Sequence, residues 1–96
     1  MEIPQRTDGD VLILEPSGRM TIGEADYALK KAVRGAVEAN ARKVLINLSA
    51  VTYMDSAALG ELLSSRQTIA ENGGVLRICG LQERVRTLLE ITGLLS

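Results

Sequence analysis

The apolar positions of this chain change their spacing several times, and each change marks an element. Residues 2 to 7 alternate, with Ile3, Gln5 and Thr7 on one side and Glu2, Pro4 and Arg6 on the other. This predicts a weak edge strand, which suits Pro4 because proline has no N–H to give to a ladder. Asp8-Gly9 is a hairpin signal. Val11-Leu12-Ile13-Leu14 is an unbroken apolar run of the kind buried in the middle of a sheet, and Pro16, Ser17 and Gly18 are predicted to end it.

From Ile22 the period becomes helical. Ile22, Ala25, Leu29, Ala32, Val33, Ala36 and Val37 recur at three- and four-residue spacings, while Glu24, Lys30, Lys31, Arg34 and Glu38 take the other side. The helix is predicted from Thr21 or Ile22 to near Asn40, slightly weakened by Gly35. Val44 to Leu48 read as a second buried strand. A helix then starts at or just after Ser56, with Leu59, Leu62, Leu63, Arg66, Ile69 and Ala70 on one stripe, and stops at Asn72-Gly73-Gly74. Val75 to Cys79 form the last strand. A final helix from about Gln82 to Ile91 is expected to bury Val85, Leu88 and Leu89, with Gly93 as its cap.

The predicted order is β-β-α-β-α-β-α in a single α/β domain over residues 1–96. A hairpin makes the first two strands antiparallel, and connections through helices make the rest parallel, giving a four-stranded mixed sheet. If the strands lie in sequential order, right-handed crossovers put the helices mainly on one face. The strands agree. Val44, Ile46 and Leu48 point one way and Leu45 and Asn47 the other, while Leu76 and Ile78 oppose Arg77.

Residues 44 to 60 carry the candidate chemistry. An apolar strand runs into a short polar loop and then Asp55-Ser56 opens the helix, so the segment to weigh is Val51-Thr52-Tyr53-Met54-Asp55-Ser56. In open α/β sheets, function collects where the carboxyl ends of parallel strands meet helix amino termini. There the first-turn N–H groups lack helical partners and the dipole favours negative charge. A phosphoryl group on Ser56 would add roughly −1.5 to −2 charge and three acceptor oxygens at that end. The fold should tolerate it, whereas a partner packed on Ala57, Ala58 and Gly60 would not. Asp and Ser are also the commonest helix caps, so the residues alone favour capping without regulation. Asp55 is the expected cap under both readings. Met54 and Tyr53 read first as core or loop cover, although methionine adapts well to docking surfaces.

Composition removes most other chemistry. The chain has no His, Trp or Phe and one Cys, so the commonest general base and metal ligand is missing and no zinc cluster can form. A phosphocarrier would need His or an activated Cys, and Cys79 is predicted to be buried in the sheet. A phospho-aspartate receiver would need acids clustered around Asp55. No enzyme activity, cofactor or metal is expected. Net charge is −1, without a basic run, which argues against a nucleic-acid partner. No apolar run nears the ~20 residues needed to span a bilayer, and the first residues lack signal-peptide character, so a cytoplasmic protein is expected. The picture is of a protein that binds protein.

Over essentially its whole length the chain resembles the anti-sigma factor antagonist branch of the STAS family. The resemblance rests on the element order, the strand V-L-I-N-L-S-A-V, M-D-S at 54–56 with L-G at 59–60, I-A-E-N-G-G-V-L-R-I-C-G, and the final V-R-T-L-L-E-I-T-G-L. It implies a STAS fold in which Ser56 is the acceptor of a phosphoryl group and Asp55 the neighbouring acid. The partners it implies are an anti-sigma factor that is also a serine kinase, and a phosphatase that resets the switch. Unphosphorylated antagonist binds the kinase and frees the sigma factor; phosphorylated antagonist does not. The partner-binding set carried over is Met54, Asp55, Ser56, Ala57, Ala58 and Gly60. Ala57 stands where the family has a second serine and Ala58 where it has glycine. Ala58 is the larger departure, because glycine permits close backbone approach and alanine stiffens the first turn.

The alternative is a non-switching STAS subunit of a membrane transporter or lipid-export complex, with Ser56 only a cap. Arg19 is expected in a loop at the Ser56 end of the sheet, as a solvated arginine with a partner or phosphate contact as the other use. Oligomeric state stays open; the short, proline-bearing edge strand argues against sheet-edge pairing.

Overall fold

A computed structural model describes residues 2–21 and 23–92. Its elements are β1 (Gln5–Asp8), β2 (Val11–Leu14), β3 (Ser17–Met20), α1 (Glu24–Glu38), β4 (Lys43–Asn47), β5 (Ala50–Met54), α2 (Ser56–Glu71), β6 (Val75–Cys79) and α3 (Glu83–Thr92). The main sheet has four strands in the order β1-β2-β4-β6. β1 and β2 are antiparallel, and β2, β4 and β6 run parallel. The mixed four-stranded sheet in sequential order is the one read from the sequence.

Two strands were not. β3 and β5 pair in parallel as a separate ribbon, where the sequence predicts the end of a strand at Pro16-Ser17-Gly18 and a short polar loop before Asp55. Four-residue and five-residue segments holding Gly, Ser, Thr and Arg carry no clear period of two. Their pairing comes from the way β2 and β4 deliver them side by side. Smaller corrections concern boundaries. The turn of the first hairpin is Gly9-Asp10, with Gly9 at φ 62°, and Asp8 belongs to β1. α1 begins at Glu24, because Gly23 (φ 94°) lies outside helical space. Expectations for Ile22 and Gly93 lie outside the described residues, as does the expected burial of the Leu88 and Leu89 side chains.

The core lies between the sheet and the helices. Leu12 and Leu14 of β2, Val44 and Ile46 of β4, and Leu76 of β6 point to one face, where they meet Leu29 and Val33 of α1, Leu62 and Ile69 of α2 and Val85 of α3. Fully burying one such aliphatic side chain contributes about 1.5–3 kcal/mol. On the other face Arg6, Ile13, Leu45 and Arg77 form one row across the four strands. Cys79 continues that alternation from Arg77, away from the helices on the edge strand β6, and is exposed rather than buried. On α2 the buried positions are Ala58, Leu59, Leu62, Ser65 and Ile69. The expected stripe was turned too far, since Leu63, Arg66 and Ala70 are exposed.

Both long helices end by the same device. After α2, the Gly74 and Gly73 N–H groups donate to the Ile69 and Ala70 carbonyls, with Gly73 left-handed at φ 80°. Gly74 is then required for packing. A Cβ there would lie 2.7 Å from the Arg42 carbonyl oxygen, where β6 starts beside β4.

Candidate functional site

The start of α2 is assembled from two directions. From within the helix, Asp55 adopts extended backbone angles (φ −93°, ψ 178°) and its Oδ1 accepts the Ala58 N–H at 2.9 Å. Its carbonyl accepts the Leu59 N–H at 3.0 Å, the first helical bond. This is the N-cap expected from the sequence, a carboxylate at the positive end of a dipole. From outside, the Asp55 N–H donates to the Met20 carbonyl at 3.1 Å, so the end of β3 holds the residue that starts the helix. Met20 and Met54 pair in the ribbon and are both buried, which anchors it in the core.

Ser56 is the first helical residue, and it is exposed. No acidic residue occupies the first turn of α2. The N–H groups of Ser56 and Ala57 have no acceptor within the helix. The place therefore favours added negative charge, and the chain has put none there beyond the cap itself.

The structure divides the residues predicted for this site. Ser56 and Gly60 are exposed, and Asp55 and Ala57 are half-buried. Met54 is 1% exposed and Ala58 is fully buried, so neither side chain is available to a partner. The reason is geometric. Met54 takes the inward position of β5, and Ala58 begins the buried stripe of α2. A glycine-to-alanine change at 58 therefore bears on the packing of the first turn more than on a docking surface. Gly60 is different, since a Cβ there would meet nothing within 4 Å. Leu63, two turns from Ser56 on the same side of the helix, is 52% exposed and adds an apolar group the sequence had assigned to the core.

Arg19 is also placed differently from expectation. It lies on β3 and pairs with Tyr53, with a shift of register between Gly18 and Arg19 that leaves Thr52 without a partner. Its guanidinium carbon sits 4.4 Å from the centre of the Tyr53 ring, a cation–π stack. Only the unexpected ribbon makes this contact, so no signal in the sequence would have located it.

Elsewhere, an open groove of about 1030 Å³ runs between β1 and α1, lined in part by Ile3, Pro4, Tyr27, Ala28 and Lys31 and not by Ser56. Among the described residues, no three His, Cys, Asp or Glu side chains converge in a way that would hold a metal ion. No helix among them is long and apolar enough to cross a membrane.

Comparison with known proteins decides the family. The model of the STAS domain matches residues 2–96. The chain belongs to the STAS domain family. Among relatives, it is 40% identical over 53 residues to an anti-sigma-B factor antagonist of Staphylococcus aureus, covering 55% of this chain and 49% of that protein. The aligned part thus spans about half the length of that relative. An anti-sigma F factor antagonist of Paenibacillus polymyxa is 24% identical over 94 residues, covering 98% of this chain and 80% of the other. Among solved structures, a candidate anti-sigma factor antagonist from Thermotoga maritima superposes with a TM-score of 0.86 at 29% identity, covering 96% and 79% of the two chains. STAS relatives of this kind share the mixed sheet and helices described above.

Proposed function

We propose that this protein is an anti-sigma factor antagonist, a binding switch whose state is set by phosphorylation of Ser56. In its unphosphorylated form it occupies an anti-sigma factor that is also a serine kinase, so that the sigma factor is released. The observation that carries the reading is an exposed serine at the first position of a helix capped by Asp55, with no acidic residue in its first turn, in a chain of this family. The relatives bearing the antagonist name support the same role.

The protein acts as substrate and binder rather than as catalyst. In the transfer, the Oγ of Ser56 forms a bond to the γ-phosphorus of ATP and the bond from that phosphorus to ADP breaks. The hydroxyl proton leaves to a base on the kinase. A phosphatase reverses the state by hydrolysing the ester. Little change of fold is required, because the added charge falls where the helix field favours an anion. What changes is the surface. The docking face runs along Ser56, Ala57 and Gly60 toward Leu63, and a dianion at its head would be desolvated by any close partner.

Binding measurements on three proteins test this. Wild type and Ser56→Ala should bind the anti-sigma factor alike, and Ser56→Asp should bind at least about tenfold more weakly, a change of about 1.4 kcal/mol. Equal binding by wild type and Ser56→Asp would defeat the reading and favour a constitutive STAS subunit.

A further inference from the structure

We propose that Arg19 is the side chain that reads the phosphoryl group, leaving the face of Tyr53 to pair with phosphoserine 56. The inference rests on the switch reading and goes beyond it, by naming a second residue and a movement.

Three observations point to it. Arg19 is exposed and stacks over the Tyr53 ring at 4.4 Å, and among the described residues its guanidinium makes no ion pair. β3 ends against the start of α2, since the carbonyl of Met20, the next residue, accepts the Asp55 N–H at 3.1 Å. Tyr53, the register partner of Arg19, lies three residues before Ser56 on the strand that feeds the helix. An arginine held by its backbone at this point has a long side chain whose present partner is a ring face. An exposed cation–π stack is among the weaker contacts open to a guanidinium. A phosphate monoester offers a charge-assisted, two-pronged contact that matches the planar fork of arginine and exceeds the stack. The present stack keeps the guanidinium in one place at low cost and gives it up easily.

The consequence for the switch is a double change. Phosphorylation adds a dianion at the head of α2, and it also withdraws a cation from the ring it covers, so that the Tyr53 face is uncovered. Lysine at this position would keep the charge but lose the fork. The pairing is thus specific to arginine.

The test is NMR at one fixed pH on full-length protein carrying phosphoserine at 56 introduced during synthesis. In the unphosphorylated protein, the Arg19 Hδ protons should be shifted upfield by the ring current of Tyr53. Tyr53→Leu should abolish that shift and so identify it. With phosphoserine at 56, the upfield shift should be lost and the Arg19 Hε signal should move downfield, as for a hydrogen bond to phosphate. An Arg19→Lys protein should leave the phosphoserine phosphorus resonance displaced from that of the phosphorylated wild type. Full retention of the upfield shift in the phosphorylated protein would overturn the proposal, as would an unmoved Hε. The phosphoserine is placed without a kinase, so this failure would concern Arg19 alone. Failure of the switch reading would instead appear as binding indifferent to charge at position 56.

Discussion

The two long helices of this protein begin side by side and in opposite chemical states. Each follows one strand of the β3–β5 ribbon, so parallel pairing brings both amino termini to the same end of the molecule. α1 opens after Gly23, which makes no side-chain cap, and places Glu24 and Asp26 in its first turn. α2 opens on the Asp55 cap and has no acid in its first turn, only Ser56, Ala57 and Ala58. The first helix has answered its dipole permanently with fixed carboxylates. The second satisfies the Ala58 N–H through its cap and carries no acid within its first turn. Under the proposed switch, a site that accepts charge and gives it up again cannot be filled with glutamate.

Ser56→Asp should break this contrast most visibly. It should weaken anti-sigma factor binding at least about tenfold, while raising stability by about 0.3–1 kcal/mol through the dipole; calorimetry and denaturant unfolding read the two effects. Opposite signs for binding and stability are the signature of a surface tuned for switching. Asp55→Ala comes next. Loss of the Ala58 N–H acceptor should cost about 1 kcal/mol in urea unfolding.

A matched pair of glycines sharpens the comparison between the helices. Gly35 on α1 and Gly60 on α2 both face open space, with nothing within 4 Å of an added Cβ. Gly→Ala should stabilise each helix by up to about 1 kcal/mol. Only Gly60→Ala should lower partner affinity, because only that methyl stands on the proposed docking face. The smallest effect is expected at the filled end. Glu24→Gln should destabilise the protein by about 0.3–1 kcal/mol, with binding unchanged.

What the sequence made legible divides along the same lines. The Val11–Leu14 run, the alternation in Val44–Leu48 and the three-and-four spacing of Ala25, Leu29, Val33 and Ala36 are strong patterns, and each stands where expected. Asp55 was legible as a cap because cap chemistry is local. The ribbon was not, because Ser17–Met20 and Ala50–Met54 pair through tertiary placement and not through any pattern of their own. With it was lost the stacking of Arg19 on Tyr53, although Met54 had already read first as core, where it stands. Cys79 was misplaced for a different reason. The alternation that sets Leu76 and Ile78 against Arg77 also puts Cys79 on the Arg77 side, and the apolar neighbours of Cys79 drew the reading away from that count. On α2, a shift of one residue in the stripe hid Ser65 and exposed Leu63.

The central claim is that Ser56 is the switch. Its most direct test is to incubate the purified protein with ATP and the anti-sigma factor kinases encoded near its gene, and then measure intact and peptide masses beside a Ser56→Ala control. The account predicts one phosphoryl group per chain, located at Ser56, absent from the control, and accompanied by loss of binding to the kinase that added it. Modification at another residue, or a phosphorylated protein that binds its kinase as tightly as before, would contradict it.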